Sequence, residues 1–291
     1  MNDSCINLCS PRYVRELMDE FSIAPQKRYG QNFLINDAIP KRIADASAET
    51  EVPCVLEIGP GIGTMTRELS ERFERVVAVE IDQDLIPVLG KTLSDKENVT
   101  VVNSDIMAVD INALAEEHFG KSDFAVCANL PYYITTPIIM KLLECGCPRL
   151  RSVTVMIQTE VADRLVAKAG SAEYGAITAS LAYYGQAKKL FSVSPGSFLP
   201  APKVSSTVIK IEIYPEDMRP LRPKNEKLMF RLISAAFGQR RKTLPNALCA
   251  GIPELNKEKL LSALDEMGLD PRVRGEALSV SQFAELSDRL A

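Results

Sequence analysis

The sequence of 291 residues contains no tryptophan and a single histidine, His118. One imidazole excludes any metal site built from two histidines. Histidine-dependent acid–base catalysis is close to excluded, because His118 falls in a predicted surface helix. The seven cysteines are odd in number and scattered, and Cys145 and Cys147 have no second cysteine pair with which to hold zinc. We therefore expect no metal site.

Long apolar runs are also missing. No stretch approaches the roughly 20 residues that cross a bilayer, and the N-terminus lacks the basic segment and apolar core of a secretory signal. The scattered cysteines form no disulfide framework, so a cytoplasmic protein is expected. The net charge of −4 argues against non-specific coating of nucleic acid, although it allows a local basic surface.

Short apolar, β-branched runs alternate with amphipathic stretches from about residue 53 to residue 168. Continuous apolar strands are typical of a parallel sheet that helices cover on both faces. The predicted strands are 52–58, 75–81, 98–103, 124–128 and 152–158, and the predicted helices between them are 64–73, 83–93, 111–119, 136–145 and 160–169. Segments 187–193 and 204–213 would add the terminal strands. The pattern predicts an α/β fold with a doubly wound, mostly parallel, seven-stranded sheet.

The remaining segments define the predicted domain organisation. Residues 1–26 form an N-terminal extension with a short helix at 13–21, and residues 27–213 form the catalytic domain. Three prolines among charged residues mark 214–225 as a linker. Residues 226–291 contain helical patterns without a convincing strand, which predicts a small all-α C-terminal domain.

A glycine-rich turn follows the first strand of the predicted sheet. Gly59, Gly61 and Gly63 allow the backbone to bend tightly and to approach a ligand closely. A dinucleotide fingerprint would read G-x-G-x-x-G/A, but the sixth position here is Thr64. The spacing E-x-G-x-G-x-G instead favours S-adenosylmethionine (SAM) over the cofactor of an oxidoreductase.

Two carboxylates stand at the ends of the next two strands. Glu80 closes the second strand, where it could accept hydrogen bonds from both ribose hydroxyls of a cofactor. Asp105 follows the third strand, where it could accept from the adenine amino group. Each has an ordinary alternative, since Glu80 could simply end a strand and Asp105 could cap a helix. Together with the glycine turn they predict a ligand site at the carboxyl edge of the sheet.

The fourth strand ends in Asn129-Leu130-Pro131-Tyr132. This turn offers an amide oxygen, a backbone carbonyl near Pro131 and an aromatic face, which together suit the exocyclic N6 amine of adenine. Two acceptors would draw that nitrogen toward a pyramidal, nucleophilic geometry while Tyr132 stacks on the ring. An ordinary turn is the alternative, because asparagine and proline are common turn formers.

Several further segments complete a recognisable set of motifs. They are GQNFL at 30–34, the glycine turn, NLPYYI at 129–134, IQTEVA at 157–162, YG at 174–175, VSPGSFLPAPKV at 193–204 and FGQRRK at 237–242. With these motifs the chain resembles the ribosomal RNA adenine N6,N6-dimethyltransferases of the KsgA type, over roughly residues 27–280. Tyr133 and Gly238 depart from the pattern, since many members have asparagine at both positions.

The resemblance implies a class I SAM-dependent methyltransferase whose cofactor-binding residues are Asn32, Leu34, Gly59, Gly61, Glu80, Asp105, Ile106 and Asn129. It also implies that two adjacent adenosines near the 3′ end of small-subunit rRNA, in a precursor of the 30S subunit, are each methylated twice. The target adenine must leave its stack to reach the pocket. We expect Asn129, Pro131 and Tyr132 to carry catalysis, and Phe198 to clamp the second face of the base unless it is a plain core residue.

RNA binding is expected from a cationic segment, defined as residues 219–245. It contains eight basic residues and one acidic residue, Glu226, which gives a net charge of +7. The candidates for RNA contact are Arg222, Lys224, Lys227, Arg240, Arg241 and Lys242. An ordinary solvated helix is the alternative. We expect a monomer.

Three other activities stay open from the sequence alone. Large-subunit rRNA methyltransferases and DNA adenine methyltransferases share the Asn-x-Pro-aromatic turn. A non-catalytic RNA-binding assembly factor could retain the fold, although the intact Glu80, Asp105 and Asn129 disfavour it.

Overall fold

The computed structural model describes residues 7–26 and 30–291. Residues 1–6 of the predicted extension and residues 27–29 of the predicted catalytic domain lie outside the described residues. The strands are β1 (Phe33–Leu34), β2 (Cys54–Ile58), β3 (Arg75–Glu80), β4 (Val99–Asn103), β5 (Phe124–Asn129), β6 (Leu150–Gln158), β7 (Gly185–Val193), β8 (Phe198–Leu199) and β9 (Ser206–Ile213).

Twelve α-helices accompany these strands in the described residues. They are α1 (Pro11–Glu20), α2 (Ala38–Ala48), α3 (Thr64–Ser70), α4 (Ile86–Thr92), α5 (Ile111–Phe119), α6 (Thr135–Glu144), α7 (Thr159–Leu165), α8 (Ala176–Tyr184), α9 (Glu226–Gly238), α10 (Leu244–Gly251), α11 (Lys257–Glu266) and α12 (Val280–Leu290). The predicted helix at 83–93 is a short 3-10 turn followed by α4. No helix in the described part of the chain combines the length and apolarity that a membrane span requires.

The main sheet has seven strands in the order β4-β3-β2-β5-β6-β9-β7. The first four neighbouring pairs are parallel, and β9 runs antiparallel to β6. All of β2 and the first five residues of β5 are buried, as expected for central strands covered on both faces. The predicted doubly wound, mostly parallel sheet is therefore confirmed.

A second, two-stranded sheet was not predicted. Strand β1 pairs antiparallel with β8, so that Phe33 lies opposite Leu199 and Leu34 lies opposite Phe198. Helix α2 was not predicted either. It buries Ile43 and Ala44 against a core cluster that also contains Val55 and Cys127 of the central strands.

Helix α1 of the predicted extension packs close to the glycine turn. Its Val14 and Leu17 belong to an apolar cluster with Phe33 and Ile62. Ser10 caps the helix by accepting a hydrogen bond from the backbone N–H of Tyr13 at 3.4 Å, which satisfies one of the donors left open at a helix start. The extension is therefore part of the wall that supports the glycine turn.

The chain divides into two compact units. The first comprises residues 1–162 and 188–213, and the second comprises 163–187 and 214–291. The predicted helical domain starts at residue 226, whereas the second unit also includes α8. Within that unit the Tyr184 ring stacks on Phe230 of α9, with centroids 5.5 Å apart. Packing of aromatic side chains therefore joins segment 163–187 to the C-terminal helices.

Close backbone approach holds the helices of the second unit together. A Cβ atom at Gly251 would lie 2.6 Å from the Cβ of Ala235, and one at Gly275 would lie 2.7 Å from the Cβ of Ala236. Such distances are shorter than carbon atoms tolerate, so only glycine fits at both points. Leu232, Leu248 and Phe283 are fully buried around these contacts.

Candidate active site

A cavity opens where β2, β3, β4 and β5 end at the carboxyl edge of the sheet. Strands β3 and β4 lie on one side of β2 and strands β5 and β6 on the other, so the chain reverses its winding direction here. Open α/β sheets bind ligands at such a reversal. The predicted residues that line the cavity are Gly59, Gly61, Glu80, Asp105, Ile106, Asn129 and Pro131. The space amounts to about 670 Å³ with its open mouth included.

The glycine turn brings bare backbone to the wall of this cavity. Gly59 and Gly61 have φ angles of 69° and 62°, a region that side chains other than glycine rarely adopt. A Cβ at position 61 would lie 3.5 Å from the ring of Phe33, whereas one at position 59 would meet nothing within 4 Å. The open space over Gly59 is therefore available to a ligand that lies against the turn.

Glu80 ties the glycine turn to the end of β3. One carboxylate oxygen accepts the backbone N–H of Gly61 at 3.1 Å and the other accepts that of Asp82 at 2.9 Å. Burial raises the pKa of Glu80, and these two backbone N–H groups oppose the rise. Each carboxylate oxygen can accept more than one hydrogen bond, so the carboxylate can also receive the hydroxyls of a ribose.

Asp105 serves a local turn and still faces the cavity. Its Oδ1 accepts the backbone N–H of Met107 at 2.8 Å, in a turn that does not continue into a helix. The predicted alternative of a helix cap is therefore replaced by a turn interaction of the same kind. Ile106 is buried beside it and forms an apolar part of the wall.

The turn after β5 presents two polar groups that no described residue engages. Asn129 ends the strand and lines the cavity, and no described residue hydrogen-bonds its side-chain amide. The carbonyl of Pro131 accepts the backbone N–H of Ile134 at 3.2 Å and the Thr135 hydroxyl at 3.0 Å. The two lone pairs of that carbonyl are thereby used. The neighbouring carbonyl, which no described residue engages, is that of Leu130.

The aromatic residues of the site are arranged differently from the prediction. The Tyr132 hydroxyl hydrogen-bonds Ser206 Oγ at 2.9 Å, and its ring is half-buried. Tyr133, which follows it, lines the cavity and is 61% exposed. Phe198 is only 3% exposed and belongs to the apolar cluster under α2. Its burial favours the plain core role that the sequence left open, and the predicted clamping role stays a prediction.

The two remaining predicted cofactor residues lie outside the described cavity wall. Asn32 lines a neighbouring open pocket and donates a hydrogen bond to the Gly30 carbonyl at 2.9 Å. Leu34 is 4% exposed and packs in the core. The segment reaches the site through Gln31, which lines the cavity and donates to Asp82 at 2.6 Å. A Cβ at Gly30 would lie 3.3 Å from the Cβ of Pro131, which shows how closely the segment approaches the turn.

Sequence reasoning missed nine residues of the wall. They are Gln31, Ile58, Val79, Ile81, Leu85, Ser104, Tyr133, Ile134 and Ile138. Gln31, Tyr133 and Ile134 stand inside quoted motifs, so the motifs themselves were the available signal. The other apolar residues carry no signal that separates a cavity wall from the core.

Glu57 lies two residues before Gly59 and is fully buried. Neither of its carboxylate oxygens has a hydrogen-bond partner among the described residues, and neither does Thr66 Oγ1. Burial raises the pKa of Glu57 to about 8, while the nearby Thr66 hydroxyl opposes the rise and the Glu80 carboxylate adds to it. The side chain is therefore mainly neutral at pH 7.

The predicted RNA-binding residues of the second unit differ in how they are engaged. Arg240 donates to the carbonyls of Ala172 and Tyr174 at 2.9 and 3.0 Å and to Glu276 at 3.3 Å. Such bonds indicate a structural role for this arginine. The guanidinium of Arg222 donates to a backbone carbonyl, and Lys224 is exposed. Lys227, Arg241 and Lys242 are exposed, and no described residue pairs with them.

Comparison with protein families gives one match that covers most of the chain. The model of the family described as ribosomal RNA adenine dimethylase matches residues 24–291. Two proteins named ribosomal RNA small subunit methyltransferase A are among the relatives. The one from Lachnoclostridium phytofermentans is 46% identical over 97% of both chains. The one from Bacillus licheniformis is 43% identical over 98% of this chain and 97% of its own.

Solved structures agree with this match. A dimethyladenosine transferase from Plasmodium falciparum has a TM-score of 0.71 and 25% identity, over 87% of this chain and 95% of its own. The 23S rRNA methyltransferase ErmE has a TM-score of 0.68 and 26% identity, over 89% of this chain and 99% of its own. The predicted enzyme class and SAM as methyl donor are thereby confirmed. The extent of the family match and of the sequence identity shows that this chain belongs to the ribosomal RNA adenine dimethylase family.

Proposed function

We propose that this protein transfers methyl groups from SAM to the N6 atoms of two adjacent adenosines near the 3′ end of small-subunit rRNA, twice at each. The observation that carries the proposal is the turn after β5, where the side-chain amide of Asn129, which lines the cavity, and the backbone carbonyl of the next residue, Leu130, have no hydrogen-bond partner among the described residues. An exocyclic amine with two hydrogens needs two such acceptors.

Bound SAM supplies an electrophilic methyl group. The residues on the cavity wall fit this cofactor: Glu80 would accept its ribose hydroxyls, Asp105 its adenine amino group, and the bare backbone at Gly59 would lie against it. Asn32 and Leu34 would contribute through their backbone, because their side chains are engaged elsewhere.

Asn129 and Leu130 would accept the two N6 hydrogens of the target adenine. Such bonds take the nitrogen lone pair out of conjugation with the purine and direct it toward the methyl group. Orientation then supplies most of the rate. No strong base is required, because the protonated product amine is acidic and loses its proton to water. Pro131 would fix the turn, and Tyr132, whose hydroxyl is held by Ser206, would present its ring to the base.

Sequence identity to known enzymes favours the small subunit over the large subunit as the substrate. The two relatives described above that are named for the small subunit are 46% and 43% identical to this chain, whereas the 23S rRNA enzyme is 26% identical. Lys227, Arg241 and Lys242, which are exposed and pair with no described residue, would contact rRNA phosphates. The proposal includes a monomeric enzyme that acts in the cytoplasm, where subunits assemble.

The test is incubation of the enzyme with tritiated SAM and small ribosomal subunits that lack the modification, followed by mapping of the labelled nucleotides. We expect two methyl groups on each of two adjacent adenosines near the 3′ end. Large subunits and duplex DNA serve as competing substrates in parallel reactions. Preferential labelling of either one, or SAM binding without transfer to any of the three, would refute the proposal.

A further inference from the structure

Tyr133 exposes an aromatic ring at the mouth of the cavity. It is 61% exposed and is one of five large hydrophobic side chains that the described residues leave exposed. It lies four residues after Asn129 and lines the same cavity. An aromatic ring held at the entrance of a ligand site is apolar surface that a bound partner would remove from water.

Its neighbour Tyr132 is placed differently. Ser206 holds the Tyr132 hydroxyl at 2.9 Å, and the ring is half-buried between the turn and strand β9. Tyr133 instead lines the cavity, and a Cβ placed at Gly30 would lie 3.7 Å from its ring, an ordinary van der Waals distance. Gly30 therefore approaches one edge of the ring, while 61% of Tyr133 stays exposed.

The cavity wall contains a second exposed apolar residue, Ile81. Ile81 is 43% exposed and lines the cavity on the side of Glu80, where the proposed cofactor ribose lies. Tyr133 stands on the side of Asn129, where the proposed function puts the target nucleotide. Under that function, Ile81 would therefore face the cofactor and Tyr133 the RNA.

We propose that Tyr133 is a substrate-contact residue whose ring stacks on an unpaired nucleobase of the RNA strand at the cavity mouth. This inference rests on the proposed function. Unpaired bases are recognised by stacking on aromatic side chains, and every base has a face that can stack. The contact would add to the affinity for the substrate without touching the methyl donor.

The first test compares steady-state kinetics of Tyr133→Ala and Tyr133→Phe on unmodified small subunits. Base stacking of ordinary strength predicts a KM for subunits about 5- to 100-fold higher in Tyr133→Ala, with little change in Tyr133→Phe, which keeps the ring. The affinity for SAM, measured by calorimetry on the same preparations, should stay within about twofold and shows that the variant is folded.

Ile81→Ala provides the matched control. It removes an exposed apolar side chain from the same cavity and should weaken SAM binding while leaving the KM for subunits largely unchanged. Methylation by the wild type together with an unchanged subunit KM in Tyr133→Ala would overturn this inference alone. Failure of the wild type to methylate subunits would overturn the proposed function, and this inference with it.

A fluorescence experiment uses the absence of tryptophan from the chain. Tyr133→Trp places a single tryptophan at the cavity mouth of the full-length protein. Protein-free small-subunit rRNA should quench its emission, whereas S-adenosylhomocysteine alone should change it little. A response to S-adenosylhomocysteine without a response to rRNA would assign the residue to the cofactor and overturn the inference.

Discussion

Replacement of Glu57 by glutamine tests whether a neutral carboxyl group is buried behind the glycine turn. The folded protein holds the pKa of Glu57 near 8, above its ordinary value of 4.5. Between these two values the folded state binds a proton that the unfolded state has released, so the free energy of unfolding falls as pH rises. The slope is about 1.4 kcal/mol per pH unit, which amounts to about 5 kcal/mol across the window.

Glu57→Gln keeps the shape of the protonated acid but cannot ionise. The variant should therefore lack this slope. Relative to its own stability at pH 5, it should be more stable than the wild type by about 2.5 kcal/mol at pH 7 and about 4 kcal/mol well above pH 8. Below pH 4.5 this single group should cause little difference in stability between the two proteins, because the acid is then protonated in both the folded and the unfolded state.

Urea unfolding followed by circular dichroism at pH 5 to 9 measures the effect. The difference between wild type and variant at each pH cancels the titration of all other groups. Glu97→Gln, at an exposed glutamate, is the control and should leave the pH dependence of the wild type unchanged. Parallel stability curves for Glu57→Gln and wild type would refute the reasoning and show that the carboxyl group is hydrated or paired in solution.

Three further predictions concern the site and the RNA surface. Asn129→Ala should abolish methyl transfer while a SAM titration gives an affinity within roughly tenfold of the wild type, since one hydrogen bond contributes about 1 kcal/mol; near-normal turnover would contradict the role of Asn129. Burial raises the pKa of Glu80, so SAM affinity should fall with acidification at a pH above that of an ordinary glutamate, and the affinity of Glu80→Gln should be weaker and independent of pH over that range. Replacing Arg241 and Lys242 by glutamine should lower the log–log salt slope of subunit binding by roughly 0.7–0.9 per lost phosphate contact, whereas Arg240→Gln should mainly lower the melting temperature of the protein; equal slopes in all variants would show that these cations do not contact RNA.

The parts of the fold that the sequence predicted are those with local signals. The central strands are continuous apolar runs, such as β2 and β5, and they are buried on both faces. The pairing of β1 with β8 joins two-residue strands that lie far apart in the chain. Two residues are too few to show a period, so this pairing could not be predicted.

The candidate site was predictable to a similar extent. Gly59, Glu80 and Asn129 follow strands, and parallel strands bring their carboxyl ends to one edge. The sequence could not predict which of two neighbouring backbone carbonyls, or which of two neighbouring tyrosines, is available to a ligand. That depends on hydrogen bonds formed after folding. Thr135 and Ile134 engage the Pro131 carbonyl, and Ser206 holds Tyr132, contacts for which the sequence carries no local pattern.

The pairing of Leu34 with Phe198 also bears on how the protein forms during synthesis. The glycine turn, Glu80, Asp105 and the turn at Asn129 leave the ribosome well before residue 198 has been made. At about 5–20 residues per second, the 65 residues that separate Tyr133 from Phe198 take roughly 3–13 s. During that interval the segment around Gln31 has no strand partner. A nascent chain that already contains every predicted cofactor-binding residue therefore still lacks strand β8, which anchors one wall of its pocket.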